Sequence, residues 1–547
     1  MAAASTDTGV LKVSGVGKGA TVKAYKIVKA NYNDSGFTGW EAVIAYSISD
    51  TTTWMPTASE LNNIVKQITA ENSTVTTDVV TLTYDETTQT YASPAAGQDG
   101  AATAGEYVVL VEKTDSADAL VYNPAVVSTY YDGSTLVSEP TGNQIVAIDK
   151  NHSFGTGNDA YVKASEITVT KKIANPDGDA SGNKTGEGEA ARADGDDLQV
   201  GDTGDFEIKT KIPSYSSAYK NLKFELTDTQ DDGFDAPTSI KVTVAGTVVY
   251  DGDNTTQNNT AVEVAVNGND FTVKFKTDEF ILANAGKDVV VTYSAKLNRK
   301  ATQKTAANKD KVELEYTKDI KENTDKKDDT VYEYSFPVDV LKVDSEALTT
   351  TEDGKTYHQD SDKKYHLALQ GAEFTLTRVS PEPAANTDHV DYGDTTDKKV
   401  ATTNEQGIAT FNHLDEGIYK IEETKAPTSP KTYKASTETF YIKVTPVYYT
   451  ANDTKDGVPV TNDDIGTLKT YTVTQCNEDG SPKTDTSDAS LEERSNDNAN
   501  DTLVVNDSPA PNLPATGARS ALILTVCGAA LMITVMAASK RKKEVED

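Results

Sequence analysis

The sequence contains 547 residues and carries a formal net charge of -33 at pH 7. This length is enough for about three domains that each bury a core of their own. So acidic a chain argues against nucleic acid or an anionic membrane surface as a partner. Only two cysteines are present, and Cys527 falls within an apolar run, so no internal disulfide can stabilise an exported monomer. The five histidines lack metal-ligand spacing, and neither a metal nor another cofactor is expected.

The first segment contains one helix signal. In "TASELNNIVKQI", Thr57 and Glu60 have the spacing of a capping box, and apolar residues recur at helical intervals from Leu61 to Ile68. We predict a single helix here, packed through its apolar face on the first domain.

Most of the chain before residue 508 alternates apolar and polar residues, which is typical of β-strands. In "AVEVAVNGNDFTVKF", two alternating runs flank Asn267 and Gly268, a strong hairpin signal. Strands of this kind, separated by turn-rich loops, predict a mostly β fold of tandem immunoglobulin-like β-sandwich domains, followed by a C-terminal single transmembrane helix. Domains are predicted at residues 1–162, 163–336 and 337–507, with a C-terminal region at 508–547.

Two acidic loops superficially resemble calcium-binding loops. "DTQDDG", which begins at Asp228, fails because Gln230 stands at its third position and Ser239 where a bidentate glutamate is required. "DGDASGNKTGE", which begins at Asp177, is a better imitation but has Gly188 at its twelfth position. Calcium binding at the second loop remains a minor alternative, and no metal site is expected.

The chain ends in a pentapeptide, an apolar run and a basic cluster. The pentapeptide LPATG consists of Leu513, Pro514, Ala515, Thr516 and Gly517. The apolar run at 521–538 is just long enough for one tilted membrane crossing, and the basic residues at 540–543 place the C-terminus in the cytoplasm. A plain single-span anchor explains all of this except LPATG, and the charged residues after the run argue against a lipid-anchor signal.

This tripartite pattern resembles a Gram-positive cell-wall sorting signal. The resemblance implies that a sortase attacks the Thr516 carbonyl, releases the chain from Gly517 onward and passes the acyl group to an amine. The membrane helix would then be transient, and the mature protein would be secreted and anchored to the cell wall. The opening "MAAASTDTGVLKV" has neither a basic n-region nor an apolar core, so Met1 is interpreted as the start of a mature or trimmed form.

The third segment contains "VDVLKVDSEA", "LQGAEFTLTR", "GIYKIEETKAPTSPKTY" and "DTLVVNDSPAP". It resembles a Cna B-type domain of Gram-positive surface proteins, and its ETxAP portion resembles the E-box of sortase-assembled pilins. The resemblance implies an internal isopeptide bond between Lys342 and Asn506, assisted by Glu423, with Glu422 one position out of register. Burial would favour the neutral form of Lys342, which attacks, and the protonated form of Glu423. Neutral Glu423 could then hydrogen-bond the Asn506 amide and shuttle protons while ammonia leaves. The alternative is an ordinary ion pair between Lys342 and Glu423.

The second segment runs from "EITVTKKIANPDG" through "FELTDTQDDGF" to "KTAANKDKVELEY". It resembles the middle domain of backbone pilins, in which the assisting acid is an aspartate. By position, the resemblance implies a lysine at Lys171, an acid at Asp228 and an asparagine at Asn308. Adjacent Lys172 is the rival lysine, but strand alternation places Val169 and Lys171 on one face and Lys172 on the other.

The first segment contains "GVLKVSGVGKGATVKAYKIV" and "DALVYNPAVVSTYY", which are similar to the N-terminal domain of the same pilins. In backbone pilins the acceptor for polymerisation is a lysine in a YPKN-like motif just before the second domain. Here "NDAYVKASEITVTK" stands at that location, so the candidate is Lys163, although Val162 replaces the proline and Ala164 the asparagine. Whether the first domain has its own bond, through Lys12 for example, stays open.

These resemblances imply a structural, non-enzymatic protein, a major pilin that forms the shaft of a covalent pilus. The expected partners are sortase, identical pilin subunits, ancillary tip and base pilins, and peptidoglycan, with a host-surface ligand left open. A wall-anchored monomeric adhesin is the alternative, since it would share the sorting signal and the Cna B-type domain. A wall-anchored hydrolase would need a nucleophile with a base, paired carboxylates or a metal cluster, and none of these signatures is recognisable.

Overall fold

The computed structural model describes most of the chain up to residue 507. The described ranges are 5–43, 48–50, 54–70, 73, 77–113, 120–132, 135–137, 146–149, 153–155, 159–174, 193–360, 362–380, 398–483, 490–492 and 502–507. Within these ranges the fold is mostly β, with several sheet-based units and few helices, as the alternating pattern predicts. The predicted transmembrane helix at 521–538 lies outside them, and no helix that they contain is long and apolar enough to cross a membrane.

The first domain is organised around one large sheet. Its strands are β1 (Thr8–Gly9), β2 (Lys12–Ser14), β3 (Thr21–Asn33), β4 (Gly36–Ala42), β5 (Val79–Asp85), β6 (Thr90–Ala92), β7 (Ala102–Thr103), β8 (Gly105–Lys113), β9 (Leu120–Tyr122), β10 (Ala125–Asp132), β11 (Thr135–Val137), β12 (Val146–Asp149), β13 (Ser153–Gly155) and β14 (Asp159–Tyr161). Along the sheet the order is β11-β10-β8-β3-β5-β6-β2-β14, with β4 paired to β3. Alternate residues of β3 and β8, such as Val22, Ala24 and Val109, fill its core.

The predicted helix is confirmed as α1 (Ala58–Thr69). The Glu60 N–H donates to Thr57 Oγ1 at 3.3 Å, and the Thr57 N–H donates to the Glu60 carboxylate at 2.8 Å, which completes the capping box. Ile64, Val65 and Ile68 are buried on the apolar face of the helix. They join a hydrophobic core that continues into the middle domain.

The middle domain consists of two facing sheets. Its strands are β15 (Ala164–Glu166), β16 (Val169–Ile173), β17 (Gly195–Asp197), β18 (Thr203–Lys211), β19 (Phe224–Gln230), β20 (Thr238–Val244), β21 (Thr247–Asp251), β22 (Val262–Asn267), β23 (Asp270–Phe275), β24 (Asp288–Lys296), β25 (Asn308–Thr317) and β26 (Thr324–Tyr334), with a short helix α2 (Asp278–Ala283). One sheet has the order β16-β18-β24-β20-β21 and the other β17-β26-β25-β19-β23-β22. The predicted hairpin is confirmed as β22 and β23, where Asn267 pairs with Asp270 and Gly268 has a φ of +68°.

The third domain is again built around two main sheets, with two further two-stranded sheets, β28-β29 and β35-β36. Its strands are β27 (Phe336–Asp344), β28 (Tyr357–Gln359), β29 (Tyr365–Leu367), β30 (Glu373–Ser380), β31 (Lys398–Thr402), β32 (Ile408–Leu414), β33 (Gly417–Lys425), β34 (Thr439–Tyr448), β35 (Thr454–Lys455), β36 (Val458–Pro459), β37 (Leu468–Cys476), β38 (Ser490–Glu492) and β39 (Thr502–Asp507). The sheet orders are β32-β27-β39-β38 and β31-β30-β33-β34-β37. The first strand, β27, and the last, β39, are therefore parallel neighbours in one sheet.

The domains meet through polar contacts and close backbone approaches. Strand β15 pairs with β9 of the first domain, and the Tyr219 hydroxyl donates to the Tyr122 carbonyl at 2.5 Å. Between the middle and third domains, buried Asp197 accepts a hydrogen bond from the Tyr448 hydroxyl at 2.8 Å and another from the Glu416 N–H. Because these contacts use buried polar groups with satisfied hydrogen bonds, they fix the junction in one geometry.

Candidate functional site

A buried lysine and glutamate face each other in the third domain. Lys342 on β27 and Glu423 on β33 have fully buried side chains, and Lys342 Nζ donates to Glu423 Oε2 at 2.9 Å. Each comes from a different sheet, so the pair spans the sandwich. The Phe374 ring centroid lies 5.8 Å from the amino group, and the Ser436 N–H donates to the same carboxylate oxygen at 2.8 Å. The structure thus brings together two of the three residues predicted for this site.

The second oxygen of Glu423 faces the interior. Glu423 Oε1 is buried and has no hydrogen-bond partner within the described part of the chain. An unpartnered carboxyl oxygen in an apolar site is costly, so it favours a further polar group beside it.

The third predicted residue, Asn506, lies on the neighbouring strand β39. The parallel register pairs Lys342 with Val505 and Val343 with Asn506, so the backbones of Lys342 and Asn506 are one position apart across adjacent strands. The description of Asn506 extends to its backbone only. In this register Lys342 shares its face of the sheet with Val505, so a bond to Asn506 would require the end of β39 to turn the Asn506 side chain toward Lys342.

A second buried lysine lies in the middle domain. Lys171 on β16 is fully buried, and its Nζ donates hydrogen bonds to Asp228 Oδ2 and Asp310 Oδ1. The prediction that Lys171 rather than Lys172 faces the core is confirmed. The side chain of Lys172 lies on the other face, is 28% exposed and pairs with Asp194.

Two more side chains complete this cluster. The Tyr293 hydroxyl on β24 hydrogen-bonds Asp310 Oδ2 and lies 3.2 Å from Asp228 Oδ1, while Gln230 Nε2 donates to Asp310 Oδ2 at 3.1 Å. Burial, together with the negative charge of Asp310, raises the pKa of Asp228 well above its ordinary value. Burial also raises the pKa of Tyr293 well above its ordinary value, so its hydroxyl keeps its proton.

The structure does not bring Asn308 to the Lys171 amino group. Asn308 Oδ1 accepts a hydrogen bond from the Thr302 N–H at 2.8 Å, and its Nδ2 donates to the Glu333 carbonyl at 3.1 Å. Asp310 lies two residues further along the same buried face of β25 and stands beside Lys171 instead. Same-face neighbours on a strand are about 7 Å apart, so one step of the alternation decides which residue reaches the lysine. Asn308 is therefore not supported as its partner.

Lys163, the predicted acceptor for polymerisation, is solvent-exposed between β14 and β15. The preceding residue, Val162, is fully buried in the core of the first domain, and the Lys163 carbonyl accepts a hydrogen bond from the Asn123 N–H at 3.0 Å. The backbone is thus held in place while the amine faces solvent. Lys12 lies on β2 and is half-buried. The sorting pentapeptide at 513–517 and the calcium-like loop at Asp177 lie outside the described residues.

Sequence reasoning missed three members of the middle-domain cluster, namely Asp310, Gln230 and Tyr293. The pattern "NKDKVELEY" does carry a signal for Asp310, because alternation puts it on the same face as Asn308. Gln230 is the direct cross-strand partner of Asp310, which only the register reveals. Tyr293 comes from the opposite sheet, and nothing in its local sequence distinguishes it from a core tyrosine.

Three protein-family models match successive parts of the chain. A T6 antigen Ig-like domain matches residues 6–171, a Cna-B-like domain of the Gram-positive pilin backbone subunit 2 family matches residues 200–320, and a SpaA prealbumin-like fold domain matches residues 354–456.

Known proteins resemble the chain over most of its length. The trypsin-resistant surface T6 protein of Streptococcus pyogenes serotype M6 is 26% identical over 451 residues, which is 80% of this chain and 72% of that protein. The solved structure of the T6 backbone pilin of serotype M6 Streptococcus pyogenes, a modular three-domain structure with variable loops and extensions, covers 93% of this chain and 100% of its own, with a TM-score of 0.58 and 19% identity. The chain therefore contains, in succession, domains that match families of Gram-positive pilin and T6 antigen domains, and it is similar over most of its length to a surface T6 protein of Streptococcus pyogenes.

Proposed function

We propose that the chain is the structural shaft subunit of a covalent surface pilus, in which sortase joins Thr516 of one subunit to Lys163 of the next. The observation that carries the proposal is the succession of three pilin-type domain families along one chain. In this role the protein is a substrate of sortase rather than an enzyme. Ancillary tip and base pilins and peptidoglycan are its further partners.

Polymerisation needs an acyl donor and an amine acceptor on the same subunit. The sortase thiol attacks the Thr516 carbonyl and releases the Gly517 amine, and the Lys163 amine then displaces the thiol to form an amide. Exposure of Lys163 supports its role as acceptor, because an incoming acyl-enzyme must reach the amine. Burial of the adjacent Val162 favours the reaction further, since it limits the conformational freedom lost on joining.

The test is the ladder of covalent polymers formed when the full chain is expressed on cells that carry its sortase. Lys163→Arg keeps the charge but removes the primary amine, so the ladder should collapse to a monomer. Lys209→Arg is the matched control, since the Lys209 side chain is also on the surface, 56% exposed. A ladder that persists in Lys163→Arg would assign the acceptor to another lysine. A single wall-linked band in the wild type would favour the monomeric adhesin.

We also propose an internal isopeptide bond between Lys342 and Asn506. Neutral Lys342 attacks the side-chain carbonyl carbon of Asn506, the bond from that carbon to Nδ2 breaks, and ammonia leaves. Glu423, which already binds the amino group, carries the proton from the lysine nitrogen to the departing ammonia. The unpartnered Glu423 Oε1 supports this role, because a protonated acid needs an acceptor to bind.

Such a bond would join the first strand of the third domain to the last. It would close a loop of 506 - 342 = 164 positions. A pulling force applied at the two ends of the domain would load this covalent bridge, so the sandwich between them could not be stretched open. This property suits a subunit that transmits tension along a shaft.

Intact mass tests the bond. The wild-type third domain should be lighter than calculated by one ammonia, and Glu423→Gln and Asn506→Ala should each return to the calculated mass. Glu422→Gln is the control, since that side chain is 40% exposed and pairs with Lys420. A deficit of one water that survives Asn506→Ala would move the bond to the adjacent Asp507.

A further inference from the structure

We propose that the junction between the middle and third domains is a proton-dependent lock, in which Asp197 and Asp415 share one proton across the interface. The lock is closed in acidic solution and loosens as the pH rises. This inference concerns how rigidly two domains of one subunit are joined, so it goes beyond the proposed function and holds whether or not the chain is polymerised. It is carried by two buried carboxyl groups that meet at one backbone N–H.

The two carboxyl groups come from opposite sides of the junction. Asp197 ends β17 of the middle domain and is 0% exposed, while Asp415 lies between β32 and β33 of the third domain and is 2% exposed. The Glu416 N–H donates to Asp415 Oδ1 at 2.9 Å and also to Asp197 Oδ2. The two carboxyl groups hydrogen-bond each other as well. Since an ionised carboxylate only accepts, this bond requires a proton on one of the two groups.

The Arg378 guanidinium compensates one of the two possible negative charges. It reaches from β30 to Asp415 Oδ2 at 2.9 Å, and its more distant contact, at 3.9 Å, is with Asp202 Oδ2. Two ionised carboxylates beside this guanidinium would leave an uncompensated negative charge in a buried site, which is costly. A proton shared by the pair removes that charge.

The proton belongs on Asp197, because Arg378 stabilises the ionised form of Asp415. Burial raises the pKa of Asp415 above its ordinary value, although Arg378 and the hydrogen bond with Asp197 oppose this. Protonated Asp197 can donate to Asp415 Oδ1 while its own Oδ1 accepts from the Tyr448 hydroxyl at 2.8 Å. Burial raises the pKa of Tyr448 well above its ordinary value, so this hydroxyl stays a donor. The two carboxyl groups titrate as a coupled pair, and the apparent pKa belongs to both.

Close packing ties the proton to the geometry of the junction. The backbones of Gly195 and Gly466 are in contact, since a Cβ at Gly195 would lie 1.9 Å from the Gly466 carbonyl oxygen. The Tyr334 and Tyr448 rings pack across the same interface with their centroids 5.7 Å apart. A second negative charge in this closed geometry cannot be hydrated unless the domains separate. Loss of the shared proton therefore weakens the contact between the domains.

Other ionisable groups face the same junction. The Tyr419 hydroxyl donates to the Asp415 carbonyl at 2.8 Å, and His413 Nδ1 lies 3.3 Å from the Ser335 hydroxyl oxygen. Further acidic residues near the pair add negative charge and so favour its proton, namely Asp196, Asp202, Glu333 and Glu416. Histidine is the residue type that ordinarily titrates near neutral pH, so His413 is the rival origin of a pH effect.

The direction of the pH effect follows from the raised pKa of the pair. Such a group contributes fully to the closed junction below the ordinary aspartate pKa of about 3.9. This contribution is lost as the pH rises through the closed-state pKa of the pair. The ratio of closed to open junctions should therefore fall about tenfold per pH unit across this window and become constant above it.

Amide hydrogen exchange of the full chain measures this ratio. The Leu468 N–H of the third domain donates to the Tyr334 hydroxyl of the middle domain at 2.9 Å, so it is released when the junction opens. Its protection factor is the exchange rate of a free amide divided by the observed rate, and it should fall about tenfold per pH unit across the window. Amides inside β33 and β34 should keep a constant protection factor, because the third domain itself stays folded.

Asp197→Asn replaces the shared proton with a permanent donor. The Asn side chain can donate to Asp415 Oδ1 and accept from the Tyr448 hydroxyl, so the protection factor of the Leu468 N–H should no longer depend on pH. Asp202→Asn is the matched control, since Asp202 is another acid of the junction but is 25% exposed, and it should keep the wild-type slope. His413→Gln should keep this slope as well.

Three results would overturn the proposal. A wild-type protection factor that stays constant from about pH 4 to neutral pH would show that no proton is shared, and it decides the question even if Asp197→Asn fails to fold. A slope lost in His413→Gln would transfer the effect to that histidine. A slope retained in Asp197→Asn would place the titrating group elsewhere. None of these measurements depends on polymerisation, so failure of this proposal does not imply failure of the proposed function.

Discussion

Loss of the bond between Lys342 and Asn506 should lower the stability of the third domain by an amount that the loop length predicts. On the chain-entropy model for cross-links, closing a loop of 164 positions stabilises the folded state by about 5 kcal/mol. For a domain of this size, each kcal/mol shifts the melting temperature by roughly 2–4 °C. Asn506→Ala should therefore lower the melting temperature of the third domain by about 10–20 °C.

Asn506→Ala is the informative variant because it prevents the bond and leaves the pair of Lys342 and Glu423 in place at 2.9 Å. Glu423→Gln also prevents the bond, but it leaves the buried Lys342 ammonium without its carboxylate, so its effect should be larger. Differential scanning calorimetry measures both against Glu422→Gln, whose partly exposed ion pair contributes at most about 1 kcal/mol. The reasoning is refuted if Asn506→Ala regains the calculated mass and yet melts within a few degrees of the wild type.

Three further predictions concern stability and the domain junctions. Glu106 is fully buried, neither of its oxygens has a hydrogen-bond partner within the described residues, and burial raises its pKa well above the ordinary value of 4.5. The neutral Glu106 side chain contributes its full stability below pH 4.5, and this contribution is lost as the pH rises from 4.5 toward the folded-state pKa. Across this pH window Glu106→Gln should therefore gain stability relative to the wild type by about 1.4 kcal/mol per pH unit. A difference in denaturant midpoints that does not change with pH would contradict this. A Cβ at Gly195 would lie 1.9 Å from the Gly466 carbonyl oxygen. Gly195→Ala should therefore separate the middle and third domains and split their calorimetric unfolding transition into two. A single unchanged transition would count against a rigid junction. Thr57→Ala removes the N-cap of α1 and should destabilise the first domain by about 1 kcal/mol in urea denaturation, with Thr57→Ser as the variant that restores the cap.

The sequence predicted the mostly β fold, the helix Ala58–Thr69 and the hairpin at Asn267 and Gly268 because each depends on local pattern. It also predicted that Lys171 faces the core, since alternation alone decides that. The pairing of Lys342 with Glu423 came from resemblance, and the structure brings the two together. Where two same-face residues on one strand were candidates, local pattern could not choose between them.

The choice between Asn308 and Asp310 is of this kind. Both lie on the buried face of β25, and only the offset between the two sheets determines which one meets Lys171. That offset depends on how the sheets pack, which involves residues far apart in the chain.

The sequence itself determines the features that involve neighbours in the chain. These are its acidic character, its alternating strands, its cap and turn residues and its C-terminal pattern. The composition of the middle-domain cluster, the junction at Asp197 and the parallel placement of the first and last strands of the third domain were decided by tertiary structure, because each joins residues that only packing brings together.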